Sequence, residues 1–354
     1  MTKLYSPTIA NPKNIFISLV QQSLPLKNIF RIARGAKTQA DVIVVTLHSD
    51  EFTGWAEAVP YARYQETVES VTAQILSLTD NEQTVTSHNI NELLAAFPAG
   101  AAKNALDCAW WDLQAKLNKI SVCSMLNLSP AQPCITAQTL SIDTPEAMAQ
   151  TVSKLNNPPL VKVKLDSQNI VEKMIAIRQA APNSEFIIDA NEGWTIKDLT
   201  ECHEQLHALN VVLIEQPLPA GEDDELLHFN CLIPLCADES CHTRADLNYL
   251  QNRYQVVNIK LDKTGGLTEA VLLAHEAKKQ GFELMLGCMV GSSLAMAPAA
   301  LLVNEARFVD LDGPLLIKED RLNGFEFDQG VMQPLSTTLW GGTTCNNEIN
   351  NTND

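Results

Sequence analysis

The sequence predicts an α/β protein, a modified (β/α)7β barrel of the TIM type carried behind an N-terminal α+β capping domain. From Pro133 onward, short apolar, β-branched runs begin near Thr136, Val161, Phe186, Val212, Leu235, Val256, Leu284 and Phe308, at steps of 25, 25, 26, 23, 21, 28 and 24 residues. Helix-forming text fills most of the gaps, and eight strands alternating with helices at that spacing pair in parallel and close most economically into a barrel. The first 125 or so residues lack this period, and 354 residues with 45% hydrophobic composition suffice for two cores.

Taken in order, "NIFISLVQQ", "VIVVTLHS" and "TGWAEAVP" read as strands of the cap. The clearest cap helix is "GAAKNALDCAWWDLQAKL", in which Ala105, Ala109, Leu113 and Leu117 share a face at steps of four. The barrel spans residues 126–317, with "PEAMAQTVSKL", "NIVEKMIAIRQAA", "TIKDLTECHEQLHAL", "TRADLNYLQNRY" and "LTEAVLLAHEAKKQ" as its helices. After the eighth strand no full helix follows, and residues 318–340 are expected to return to the cap. The end, residues 341–354, is polar and expected to be disordered.

The net charge of −17, from 42 acids against 25 Lys and Arg, argues against nucleic acid or an anionic membrane as partner. A small-molecule substrate is expected instead, and the sequence leaves a homo-oligomer open. "MTKLYSPTIANPKN" lacks the apolar segment of a secretory signal, so the expected compartment is the cytoplasm. Nine scattered cysteines without a C-x-x-C pair suit reduced thiols. Residues 284–304 run 21 residues without a charge, but Gly287, Gly291 and Pro298 divide them into a buried strand, a turn and a buried helix.

Barrel enzymes gather their chemistry at the C-terminal ends of the strands. The polar residues there are Thr136 and Gln138, Lys162 and Lys164, Asp189 and Asn191, Glu215 and Gln216, Asp238 and Glu239, Lys260 and Asp262, Cys288 and Met289, and Asp310 and Asp312. Asp189, Glu215 and Asp238 come from three consecutive strands, each directly after buried apolar residues. Three such carboxylates repel one another unless a cation neutralises them, and an all-oxygen set without His or Cys selects Mg²⁺, one per subunit. Asn191 and Glu239 are expected beside this triad. The plainer alternative is that the acids cap neighbouring helices.

Lys162 and Lys164 are two apart on one strand and so face the same way, into the barrel. Crowding and desolvation are expected to lower the pKa of at least one of them. Lys260 lies four strands away, on the opposite wall. A substrate carbon held between Lys164 and Lys260 would lose a proton to one and regain it from the other, with a divalent cation stabilising the enolate of an adjacent carboxylate. Lysines merely paired with neighbouring acids are the alternative.

The chain resembles the enolase superfamily over nearly its whole length, on "KVK", "DAN", "EQP", "ADES" and "NIKLDKTGG" together. It is most similar to the muconate-lactonising subgroup and, within it, to the L-Ala-D/L-Glu dipeptide epimerases, on "DLD" and "IARG". The resemblance implies that Asp310 and Asp312 receive the substrate ammonium and that Arg34 meets the glutamate side chain. Thr136, Lys162 and Cys288 are further expected substrate contacts, and murein peptide recycling is the implied setting. Arg31 has no assigned role. A cycloisomerase or o-succinylbenzoate synthase of the same subgroup remains an alternative, as does a metal–carboxylate binding module in which both lysines are dispensable. "HEQLH", residues 203–207, matches a zinc-protease pattern but falls on the helix between the third and fourth strands, away from the mouth.

Overall fold

A computed structural model describes residues 13–78, 84–155, 157–336 and 338–342. The N-terminal residues 1–12 and most of the tail expected to be disordered, residues 343–354, lie outside the described residues. Three antiparallel strands open the cap, β1 (Phe16–Ile32), β2 (Gly35–Ser49) and β3 (Phe52–Ala58), paired in the order β1-β2-β3. One face of β2 is buried through Ile43, Val45 and Leu47, and on the other face Val42 and Val44 are covered as well. Pro25 is tolerated because β1 is an edge strand, and the pairing register shifts between Pro25 and Phe30. The tight turn from Ile32 to Gly35 places Arg34 at the tip of a long hairpin.

The long cap helix runs Ala101–Asn118 and packs on β3. Ala105, Ala109 and Leu113 of its expected stripe are buried and Leu117 is partly so, but Asp107, Asp112, Gln114 and Lys116 are buried too. Asp112 accepts bonds from Trp55 N, Gly341 N and Lys116 Nζ at 3.0, 2.8 and 2.8 Å, which is how a buried carboxylate is kept satisfied. Gly54 lets β3 approach this helix, since a Cβ there would meet Ala109 O and Leu113 N, both at 2.3 Å.

Eight parallel strands form the second sheet: Gln138–Leu140, Leu160–Lys164, Glu185–Asp189, Val211–Glu215, Leu235–Ala237, Val256–Ile259, Glu283–Leu286 and Phe308–Val309. Each falls on a run named from the sequence. The sheet curls until its ends meet, where Ala137 N donates to Val309 O at 2.8 Å. One apolar side chain per strand then forms a single internal layer: Ala137, Leu160, Ile187, Leu213, Cys236, Val256, Met285 and Phe308. The helices Pro145–Ser153, Ile170–Ala180, Ile196–Ala208 and Leu267–Lys279 lie between strands as expected. "TRADLNYLQNRY" yields only a 3-10 turn and the four-residue helix Leu247–Leu250. There the Asp246 carboxylate accepts from Thr243 N and His242 N, and Asn252 turns left-handed at φ 64°. Residues 284–304 divide into strand, turn and broken helix, and no helix among the described residues is long and apolar enough to cross a membrane.

The return of the C-terminal segment is visible in named contacts. Lys318 N donates to Pro25 O at 2.8 Å, and Arg321 Nη2 reaches Gln22 Oε1 and Glu57 Oε2 at 2.6 and 2.7 Å. Farther on, Trp55 Nε1 donates to Leu339 O and Trp340 Nε1 to Cys108 O. Gly341, assigned from sequence to the tail, is instead fixed between Asp112 and Val122 N.

Candidate active site

Two residues above the apolar layer, strand alternation turns the next side chains inward. They are Thr139, Lys162, Asp189, Glu215, Asp238, Asn258, Gly287 and Asp310, with Lys164, Lys260 and Asp312 above them. The structure thus brings together all three predicted lysines and all three predicted metal ligands. Lys162 is 1% exposed, and its Nζ lies 2.7 Å from Asp310 Oδ2, 2.6 Å from Glu215 Oε2 and 3.1 Å from Asp189 Oδ2. Lys164 Nζ donates to Asp189 Oδ2 at 2.5 Å, with the Phe30 ring of the cap 5.9 Å from the ammonium. Lys260 Nζ sits 2.6 Å from Asp238 Oδ2 and 3.8 Å from Glu215 Oε1.

Burial penalises Lys162 and Lys260 as cations, yet both are held above the ordinary lysine range. Asp310 and Glu215 outweigh desolvation for Lys162, and Asp238 and Glu215 do so for Lys260. The expected depression of a crowded lysine therefore does not occur at Lys162, because three acids surround it. Among the acids, burial and Asp189 push Glu215 up to about 7, and burial and Asp238 do the same for Glu239. Burial would also raise Asp189, but Lys164 and Lys162 hold it below the usual carboxylate range. Burial and Asp310 push Asp312 up to about 7, while its Oδ2 accepts the Thr139 N–H at 2.6 Å.

As they stand, no three His, Cys, Asp or Glu side chains among the described residues are arranged to hold a metal ion. The ammoniums account for this, since Lys162 contacts both Asp189 and Glu215, and Lys260 contacts both Glu215 and Asp238. The donor set still fits a hard cation. Glu239 Oε2 is buried without a hydrogen-bond partner, and burial together with a neighbouring carboxylate raises both Glu215 and Glu239, as it does where acids crowd with too little positive charge among them.

A cavity of about 30 Å³ reaches Lys162, Lys164, Cys288, Asp310 and Asp312, so the predicted Cys288 does face the acidic pair. Thr136 does not line it: the side chain is wholly buried and its Oγ1 accepts the Leu311 N–H at 3.0 Å, while Thr139 lines the cavity. A larger space of about 360 Å³ lies at the junction with the cap, between Tyr64, Glu66, Glu239, His242, Asp262 and Lys263. Lys162 and Lys164 meet the acids at the smaller one.

Arg34 reaches the mouth from its hairpin tip, donating to Asn191 O at 2.7 Å, Glu192 Oε2 at 2.9 Å, Glu239 Oε1 at 2.7 Å and Tyr61 OH at 3.1 Å. Arg63 adds a bidentate pair to Glu192, at 2.6 and 2.7 Å, locking the same loop to the cap. Asn191 donates its own N–H to Asp189 Oδ1 at 2.9 Å. Arg31 is exposed and 3.6 Å from Asp143. Sequence reasoning passed over Asn258, which donates to Glu215 Oε1 at 2.8 Å, and Lys263, whose ammonium meets Asp238 Oδ1 at 2.6 Å. Counting back two residues from Lys260 finds Asn258. "HEQLH" lies on an outer helix, where His203 meets Phe229 edge-to-face and His207 is exposed.

Two family models cover most of the chain: the mandelate racemase / muconate lactonizing enzyme N-terminal domain over residues 14–127, and the enolase C-terminal domain-like model over residues 147–337. An N-acetyl-D-glutamate racemase from a Pseudoalteromonas species is 60% identical over 301 residues, 85% of this chain and 95% of the relative. The L-Ala-D/L-Glu epimerase of Escherichia coli K12 is 45% identical over 319 residues, 89% and 98% of the two chains. An Agrobacterium tumefaciens enolase family member with homology to dipeptide epimerases, solved with sodium and L-Ala-L-Glu, superposes with a TM-score of 0.87 at 41% identity, covering 92% of this chain and all of that one. With both domain models matched and the lysine-and-carboxylate ring at the barrel mouth, this chain belongs to the enolase superfamily, among its racemases and epimerases of amino acid derivatives.

Proposed function

We propose that the protein inverts the α-carbon of an N-acylated glutamate by moving its proton between Lys164 and Lys260. The observation that supports this is the pair of lysines set on strands four apart, one against Asp189 and the other against Asp238, with the acids of the intervening strands between them. Mg²⁺, one per subunit, is the proposed cofactor, with Asp189, Glu215 and Asp238 as its ligands. When bound, it would supply charge to the substrate carboxylate, acidify the neighbouring C–H and draw Asp238 and Glu215 away from Lys260. Lys164 and Lys260 then act as acid and base on opposite faces, and Lys162 supports the substrate carboxylate.

Two acyl groups fit this core. In the first reading the substrate is the dipeptide, and L-Ala-L-Glu and L-Ala-D-Glu interconvert, with Asp310 and Asp312 accepting the alanyl ammonium and Arg34 facing the glutamate side chain. Its setting would be murein peptide recycling in the cytoplasm. The second reading, N-acetylglutamate, is favoured by the 60% identical relative and by the state of the acidic pair. Asp310 is already held by the Lys162 ammonium at 2.7 Å, and Asp312 accepts the Thr139 N–H at 2.6 Å, so the pair is engaged without an alanyl ammonium.

Both substrates offered separately in D₂O with Mg²⁺, followed by α-proton loss and by chiral chromatography, decide between them. A kcat/KM favouring L-Ala-D-Glu supports the dipeptide, and the reverse supports the acetyl compound. Inversion of neither would overturn the N-acylglutamate proposal.

A further inference from the structure

The ring of inward-facing side chains has one member without a side chain, Gly287, directly after the seventh strand. A Cβ built there would lie 2.6 Å from Asn258 Oδ1, 2.7 Å from Asn258 Nδ2 and 2.9 Å from Lys260 Cε. These distances are closer than side chains approach one another, and both neighbours are nearly buried, with Asn258 0% and Lys260 6% exposed. Gly287 is not among the glycines with positive φ, so its backbone would accept alanine and only the space above it would not. Asn258 is in turn committed, since its Nδ2 donates to Glu215 Oε1 at 2.8 Å. Lys260 is likewise held, by Asp238 at 2.6 Å, but its contact is with Cε near the end of a long, flexible side chain, which is the part that yields most easily.

Resting on the two-base reading above, we infer that Gly287 is a positioning residue that sets the reach of Lys260 while leaving Lys164 untouched. Lys164 is held from the other side of the barrel, by Asp189 and the Phe30 ring. Enlarging residue 287 therefore handicaps one face of the substrate carbon and spares the other. A general loss of stability or of metal affinity slows both faces together.

The test compares α-proton exchange in D₂O for the two stereoisomers of the glutamyl substrate, each measured before inversion accumulates. Lys260→Ala identifies the stereoisomer that depends on Lys260, and Lys164→Ala identifies its opposite. Gly287→Ala is expected to slow exchange of the Lys260-dependent stereoisomer by about a hundredfold relative to the other, the scale of an ångström's misplacement at a reacting centre. Gly281→Ala is the control: it strains a glycine at φ 90° with no atom within 4 Å of its Cβ and should leave the ratio of the two rates unchanged. If Gly287→Ala fails to fold, adding Asn258→Ala removes the two closest contacts but keeps the one to Lys260 Cε, so the ratio must still shift. Equal slowing of both stereoisomers, or of neither, overturns the role of Gly287 while the lysine variants leave the two-base reading standing. Lysine variants that lose both exchanges alike overturn that reading and this inference with it.

Discussion

The floor of the barrel and the ring two residues above it are built by the same eight strands, yet they answer to different physics. The floor, from Ala137 to Phe308, is wholly apolar and nearly inaccessible, and each large side chain there is worth roughly 1.5–3 kcal/mol by burial. The ring above holds charges that cost energy to bury and that neutralise one another by short ammonium–carboxylate contacts. One layer secures the fold, and the other holds charge ready for chemistry. Mutations in the two should therefore fail in different assays.

The largest effects belong to the bases. Lys164→Ala and Lys260→Ala are each expected to lower inversion about 10²–10⁴-fold, measured by chiral chromatography, while each keeps exchange of one stereoisomer. Inversion at the parent rate by either variant would break the assignment. Next is Glu215→Gln, which removes a proposed ligand. Outer partners of a metal alone are worth about 10–100-fold, so activity should fall more than about a hundredfold, with weaker Mg²⁺ binding by calorimetry. Because burial and Asp189 already push Glu215 up to about 7, the metal-free variant should melt no lower than the parent.

The floor should behave in the opposite sense. Leu213→Ala, two residues earlier on the same strand, is expected to cost about 2–5 kcal/mol in urea denaturation while kcat/KM of the folded fraction stays near the parent's. A large loss of kcat/KM with unchanged stability would erase the distinction between the layers.

The smallest effect sharpens the comparison at the seam with the cap. Burial pushes Asp262 up to about 7, with Glu66 and Glu57 adding to the shift, and its Oδ1 accepts both Val59 N and Asn104 Nδ2. A carboxyl raised in the folded state contributes stability that is complete below its unfolded pKa of about 4 and is lost as pH rises through about 7. Asp262→Asn keeps an oxygen for both donors and removes the charge. It should match the parent below about pH 4 and exceed it near pH 8 by on the order of 1–3 kcal/mol. Equal stability of the two proteins at both pH values would refute the shift.

The strands and the acids of the ring were legible because burial on both faces makes a parallel strand an apolar run, and a charge that interrupts such a run stands out. Asp189, Glu215, Asp238, Lys162, Lys164 and Lys260 all declare themselves in this way. Thr136 and Thr139 were not separable, because the first strand is only three residues long and has too few apolar positions to fix which parity faces inward. Lys263 follows the sixth strand on a four-residue helix, where no alternation applies. Sequence shows Lys162 beside Lys164 but not the three acids that other strands bring to it, and these hold Lys162 above the ordinary lysine range. Phe30 belongs to the cap, so its place over Lys164 depends on a docking between domains that no local pattern encodes.

The anchoring of Leu339, Trp340 and Gly341 against Trp55, Cys108 and Asp112 has a consequence for how the molecule is made. The cap precedes the barrel in the chain, yet its last fittings follow the barrel. Throughout synthesis of the barrel, the nascent cap holds Asp112 without its Gly341 partner and the Trp55 indole without its carbonyl. The two domains therefore cannot mature one after the other, as independent units in a growing chain do. Completion of the cap waits until Leu339, Trp340 and Gly341 have been made, and a chain cut before Leu339 would carry an unfinished cap.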